Sequence, residues 1–486
     1  VFTFPLWSPN FVRIVHPSFS RLSIIASCAI LGEYAVAAPF GSLADRRGPG
    51  AVSLVAAVLF AIGFGTLSWR YNVGVSKHGR GELAWSEEWV ILAAAYFLVG
   101  CGTAASYFSA VIACTKSAPA RHSGLAIAIP CAVFGLSPLF LSALASFFTS
   151  SSQYGHSGEL EAGRYLLSLA VLLGLVNLVG AFAIKALPWE DNLEKALVET
   201  IEPEDSERFS SAVGDSAFAI SSEAGTPGTA TPNERTALLP TSRPAPTKEV
   251  DHSLRAFITT TSFWLLGGIV FLSTGPAEMY MASVSSILDS LLPPTVLASP
   301  AGALSLRKNH VALLSVSNTV LRLAVGAASD WIAAPPASRT SSGGETRALS
   351  SWRRNIRLWM VGAACLLLAS AYGWGATGLR KPAGLWVVTL ATGIGYGTVF
   401  TLTPALVRAR WGTESFGRNW GLLTWFSALG ALLFTPLFGL FRDLAASSDG
   451  TCTGPRCYRP IFVLSAASAA TAVVFVAVLG RRWGRR

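Results

Sequence analysis

The sequence predicts an all-α polytopic membrane protein, and three observations predict it. Half of the 486 residues are apolar (51%), only 13% are charged, and mean hydropathy is +0.49. Apolar runs of about 20 residues recur along the chain, the length a helix needs to cross a bilayer. The alternating pattern of membrane strands is missing, so helices are left to satisfy the backbone in lipid. A water-soluble globule does not have this many such runs.

The runs place spans at 22–43, 51–70, 88–114, 122–149 and 164–187, then 257–280, 309–332, 355–378, 384–407, 418–440 and 459–480. The first contains Glu33 and Tyr34 in an otherwise apolar stretch. The third includes Gly100-Cys101-Gly102, small residues that let helices approach. The fourth is punctuated by Gly124, Pro130, Gly135 and Pro138, which favour bending. The sixth carries Pro276 and Glu278, the seventh Asn318 and Arg322, and the ninth Gly393-Ile394-Gly395 before Tyr396. The chain opens with Val rather than Met, and Val1–Trp7 resembles the tail of a further helix. Most of a first helix is therefore expected ahead of this sequence. No basic segment precedes an apolar core, so no cleavable signal peptide is expected.

Residues 188–255 differ in kind. They are rich in Ser, Thr, Pro, Glu and Asp, and cannot bury enough apolar surface to order themselves. The expected organisation is a helical bundle over 1–187 with its first helix truncated, a disordered linker over 188–255, and a second bundle over 256–486. The bundles echo each other: Gly41-Ser42-Leu43-Ala44-Asp45 and Gly326-Ala327-Ala328-Ser329-Asp330 each end a span as Gly-x-x-small-Asp. Such a repeat fits a carrier built from two related halves.

The net charge of +10 is a topology signal. If 44–50 faces the cytosol, most of the 37 Lys and Arg lie on that side, with the linker and both chain ends. Nucleic-acid binding would need a basic face with exposed aromatics and is not expected. His16, His78, His122, His156, His252 and His310 are scattered over loops and span ends and suit solvated or interfacial positions. No Cys, His and acid cluster at ligand spacing forms around them, so neither a metal nor a cofactor is expected. No nucleophile or acid–base constellation of a soluble enzyme is evident either, nor a Walker-type loop for nucleotide. Cys28, Cys101, Cys114, Cys131 and Cys365 suit packing, and Cys452 and Cys457 share a loop on the non-cytosolic side, where a small disulfide can form.

Polar residues inside spans are expensive in lipid and mark pathways. Arg322 is the sharpest, one turn after Asn318 on the same helix face. Two roles suit it: a cavity cation that attracts an anion, or a structural Arg tied to helix ends or to Asp330. Glu33 and Glu278 each suit a coupling proton or a satisfied polar contact, and Tyr107 and Tyr396 suit cavity lining or packing. In the linker, Glu234 followed by Leu238-Leu239 matches E-x-x-x-L-L, resembling the acidic dileucine signal read by sorting adaptors.

Gly41-Ser42-Leu43-Ala44-Asp45-Arg46-Arg47-Gly48-Pro49 reads as a tight polar hairpin at the membrane surface. Asp45 would accept from helix N-terminal N–H groups and pair with Arg46 or Arg47. The pattern G-x-L-x-D-R-x-G resembles the hallmark loop of the major facilitator superfamily. That resemblance implies two six-helix bundles around a cavity open alternately to each side, with Gly41, Asp45, Arg46, Gly48, Gly326 and Asp330 controlling the change.

Gly102–Tyr107, Arg121–Ala126, Phe134–Ser137, Asn318–Arg322 and Phe416–Gly421 resemble nodulin-like and fungal carriers related to monocarboxylate transporters, the fungal vacuolar homologues above all. In proton-coupled members an Asp one turn before the intramembrane Arg is important. Asn318 stands at that position, so the Asp–Arg couple is absent and the family's name does not supply the substrate. The resemblance implies secondary transport of a small organic solute across the vacuolar membrane, the charged ligands that suit these residues being an anion and a proton. A transporter-shaped solute sensor is the alternative.

Overall fold

The computed structural model describes residues 7, 19–78, 89–119, 122–150, 159–185, 253–293, 300–333, 355–446 and 452–484. The linker, with Glu234, Leu238 and Leu239, lies outside the described residues, as does the expected helix tail before Trp7.

The first group of helices is α1 (Phe19–Ala35), α2 (Ala37–Arg47), α3 (Pro49–His78), α4 (Trp89–Ser117), α5 (Ser123–Ala145) and α6 (Ala162–Ala183). The second group starts with the short α7 (Leu254–Ile258), capped by the Ser253 hydroxyl, which accepts from Ala256 N–H at 3.1 Å. It continues with α8 (Thr261–Leu291), α9 (Pro300–Ala333), α10 (Ile356–Thr377), α11 (Leu385–Trp411), α12 (Phe416–Ala445) and α13 (Arg459–Gly484). Nine of these helices, and Ser27–Arg47 across the α1–α2 break, are apolar and long enough to cross a membrane, and α8 is 31 residues long. One departure from all-α is a two-residue antiparallel pairing, Thr149–Ser150 with Glu159–Leu160, between α5 and α6.

Several boundaries differ from the hydropathy reading: α3 runs on to His78, past the expected end at 70, and α9 starts at Pro300, before the expected 309. The first span, expected over 22–43, breaks at Val36 and resumes as α2 to Arg47. Pro39 lacks the N–H that would bond back across the break. The expected surface hairpin is therefore mostly helix: only Gly48 leaves it, at φ 86°, and its N–H closes onto Ala44 O at 3.1 Å before α3 starts. That backbone region favours glycine. Helix α8 runs eleven residues past the expected end at 280, because Ser283 and Ser290 are buried against protein rather than lipid.

Packing sorts the helices into two groups and joins them along a seam. Within the first, α3 lies on α4 and α6, and α1 on α4; within the second, α8 lies on α12 and α13, α10 on α11 and α13, and α9 on α11. Across the seam, α2 packs on α12 and α5 on α9. The outer surface is apolar, with Val133, Phe140, Val179 and Phe182 all strongly exposed, which suits lipid contact. Cys452 and Cys457 form a disulfide in the loop before α13, and that loop is tied to α8 by Gly454 N–H donating to Ser290 O at 2.8 Å.

Candidate functional site

The two Gly-x-x-x-Asp repeats sit at the same end of the seam and act reciprocally. Asp45, near the end of α2, accepts from Arg418 N–H in the first turn of α12 at 2.9 Å. Asp330, near the end of α9, accepts from Gly124 and Leu125 N–H in the first turn of α5, each at 2.8 Å. Each carboxylate thus meets the positive end of a helix in the other group. Each also holds a cation from its own group: Lys116 Nζ lies 3.1 Å from Asp45, and Arg357 Nη2 lies 2.7 Å from Asp330. Lys116 takes the role expected of Arg46 or Arg47; Arg46 points outward and is exposed, because the capping geometry turns Asp45 into the seam. Arg322 does not reach Asp330, whose oxygens are taken by Arg357 and the α5 backbone.

The glycine one turn before each Asp makes this approach possible. A Cβ on Gly41 would strike the Gly417 carbonyl, and one on Gly326 would strike Ala128 Cβ. The repeat legible in the sequence is therefore a close-contact surface plus a helix cap, written twice.

Deeper in the seam lies a second cluster. Arg322 is only 3% exposed. Its Nε donates to Asn318 Oδ1 at 2.8 Å, and its Nη1 donates to Cys131 O of α5, across the seam, at 2.7 Å. Its guanidinium carbon lies 5.9 Å from the ring centroids of both Tyr396 and Phe400, within cation–π range. Tyr107 enters from α4, its hydroxyl 3.3 Å from Cys131 Sγ and its ring 5.5 Å from Phe134. Phe400 in turn meets Trp420 edge-on at 5.9 Å. Among the described residues no carboxylate lies within ion-pair distance of Arg322. A buried guanidinium bonded only to neutral acceptors, with aromatic walls, can take an anion.

Glu278 adjoins this cluster through Tyr396. Its Oε1 accepts from Tyr34 at 2.6 Å, Ser427 at 2.8 Å and Tyr396 at 3.2 Å. Glu33, on α1, is within electrostatic reach of Glu278 and Tyr396. Arg322, Asn318, Tyr107, Tyr396, Glu278 and Glu33 are thus brought together from five helices. Sequence reasoning missed Tyr34 as a ligand of Glu278, along with Ser427, Phe400, Trp420 and the Cys131 carbonyl. Tyr34 was signalled by its place beside Glu33; the others have no local signal.

A further expectation is corrected. His310 is buried at 1% exposure rather than solvated or interfacial. It stacks on Trp386 at 4.2 Å, with Nδ1 2.8 Å from Thr389 Oγ1, because α9 and α11 close over it. Among the described residues no group of three or more His, Cys, Asp or Glu could hold a metal ion.

Comparison with known proteins adds to this geometry. A family model for the Major Facilitator Superfamily matches residues 1–435. "Probable transporter mch1" of Neurospora crassa is 29% identical, covering 96% of this chain and 83% of that protein. "Probable transporter MCH1" of Saccharomyces cerevisiae is 27% identical over 98% of this chain and 88% of its own. Among solved structures, the transporter FucP in its outward conformation aligns with a TM-score of 0.56 at 12% identity, covering 97% of this chain and 92% of FucP. The XylE double Trp mutant aligns at 0.57 and 13%, covering 99% and 94%. At these identities the solved structures speak for the fold alone.

Proposed function

The chain belongs to the major facilitator superfamily, and from that premise we propose that it is a secondary transporter of a small organic anion working by alternating access. The observation that carries the reading is Arg322, enclosed at the seam between the two helix groups and bonded to neutral acceptors from both. A cation there meets a solute that must contact both halves, as a rocking carrier requires. The reciprocal caps of Asp45 and Asp330 support a state closed at their end of the molecule. The names of the fungal relatives support transport without naming a substrate. The weight of Lys and Arg on the Asp45 side supports its placement toward the cytosol. The dileucine pattern Glu234–Leu239 supports delivery to the vacuolar membrane by a sorting adaptor.

The test is uptake of a panel of radiolabelled organic anions into vacuolar vesicles from cells lacking the gene, compared with cells carrying it. Arg322→Ala should abolish the difference. Arg322→Lys should restore a minor part, because an ammonium cannot reproduce the planar contacts to Asn318 and Cys131. Normal uptake in Arg322→Ala would return Arg322 to a structural role. Failure of any panel member to move, with one of them bound, would favour a solute sensor.

A further inference from the structure

The described acids that hold partners across helices fall into two kinds. Asp45 is held by a backbone N–H and Lys116, Asp330 by two backbone N–H groups and Arg357, and Asp289 by Arg307 through Nε and Nη2. Every one of these partners only donates, so each site fits a carboxylate and has no acceptor for a carboxylic acid. Glu278 is the exception. Its three partners, Tyr34, Tyr396 and Ser427, are all hydroxyls, and a hydroxyl can donate or accept.

The exit for the donor role is already built. Ser427 Oγ lies 2.8 Å from Thr274 Oγ1, and Thr274 donates onward to Val270 O at 2.8 Å. With Glu278 ionised, Ser427 donates to it. With Glu278 protonated, its O–H donates to Ser427, Ser427 turns its proton toward Thr274, and nothing is left unpaired. Proton uptake therefore reverses one short chain of hydroxyls and changes no covalent bond other than the new O–H.

The same oxygen joins the two halves. Tyr34 belongs to α1 and Glu278 to α8, so this bond crosses the seam. Facing Glu278 are Tyr34 from α1, Tyr396 from α11, Ser427 from α12 and, behind Tyr396, Arg322 from α9, with Glu33 of α1 within electrostatic reach. Tyr396 thus touches the anion site with its ring and the acid with its hydroxyl.

We propose that Glu278 is the proton-carrying group of this transporter, that its protonation loosens the Tyr34 bond across the seam, and that Tyr396 links this event to the anion at Arg322. This rests on the transport reading above. Anion arrival at Arg322 and proton arrival at Glu278 offset each other's charge in the seam.

The experiment uses protons as the only probe. The full chain is reconstituted in liposomes on a solid-supported membrane, and charge movement is recorded on pH jumps with no organic solute present. The expected result is a transient in the wild type that Glu278→Gln removes and Asp443→Asn, at an exposed acid near the end of α12, retains. Tyr34→Phe and Ser427→Ala, folded by size exclusion and thermal unfolding, should each shift the pH midpoint of the transient by about one to two units, the range expected for loss of one hydrogen bond to a charged group. The proposal is overturned if Glu278→Gln keeps the wild-type transient, or if Asp443→Asn removes it as well. Should Glu278→Gln not fold, unchanged midpoints in both Tyr34→Phe and Ser427→Ala overturn it equally. A wild type without any transient also overturns it, and would leave the anion reading, tested through Arg322, untouched.

Discussion

Asp45 and Asp330 show how much one carboxylate can do when its donors come from another element. Asp45 gathers Arg418 N–H and Lys116 at one point, although residue 418 is far away in the chain. A charge-assisted hydrogen bond of this kind contributes about 2 kcal/mol, which is a ratio of about 30 between two states that differ only in making it. Asp45→Asn keeps the shape and removes the charge. It should leave expression and thermal stability nearly unchanged while shifting the population away from closure at this end. Spin labels at exposed positions 46 and 414 would show a longer-distance population in the mutant. Identical distance distributions in wild type and Asp45→Asn would mean that the carboxylate does not hold the closed state.

At the scale of elements, α2–α12 and α5–α9 are the same contact built twice. Each has a glycine one turn before the capping Asp, and each partner helix has a glycine as its second residue, Gly417 or Gly124. The small residues bring backbone within reach of backbone, which in lipid is the main source of helix affinity. A valine at position 41 would collide with the Gly417 carbonyl, whereas one at Gly65 would meet open space. Gly41→Val should fold, since packing within each helix group is untouched, but should lower transport at least tenfold. Gly65→Val should transport normally. Equal flux in the two variants at equal expression would remove the α2–α12 contact from the transport cycle.

At the scale of the whole molecule, two helix groups share a seam lined by helix caps at one end and by an Arg–Tyr–Glu cluster deeper in. The contacts that Asp45, Asp330, Arg322 and Tyr34 make between the halves are placed where relative motion would make or break them. Delivery of the molecule to its membrane is a separate matter, which the proposed function places on the dileucine pattern of the linker. Changing Leu238 and Leu239 together to Ala should redirect a fluorescently tagged chain from the vacuolar membrane to another membrane without loss of transport in isolated vesicles. Unchanged localisation would make the dileucine pattern a chance match.

The sequence by itself determined the helices and the repeated Gly-x-x-x-Asp ends. Those properties are local: apolar length specifies a span, and a polar interruption specifies its end. It also singled out Arg322, Glu278, Glu33, Tyr107 and Tyr396, because a polar side chain in an apolar run is costly wherever the run is placed. Only the tertiary structure decided who meets whom. Lys116 rather than Arg46 pairs with Asp45, Arg357 rather than Arg322 pairs with Asp330, and Tyr34 reaches across 244 residues to Glu278. Burial of His310 under Trp386 was decided at the same level. The physical reason is that a hydrogen bond or ion pair depends on distances of about 3 Å between atoms, and helix packing, which no single span encodes, sets those distances.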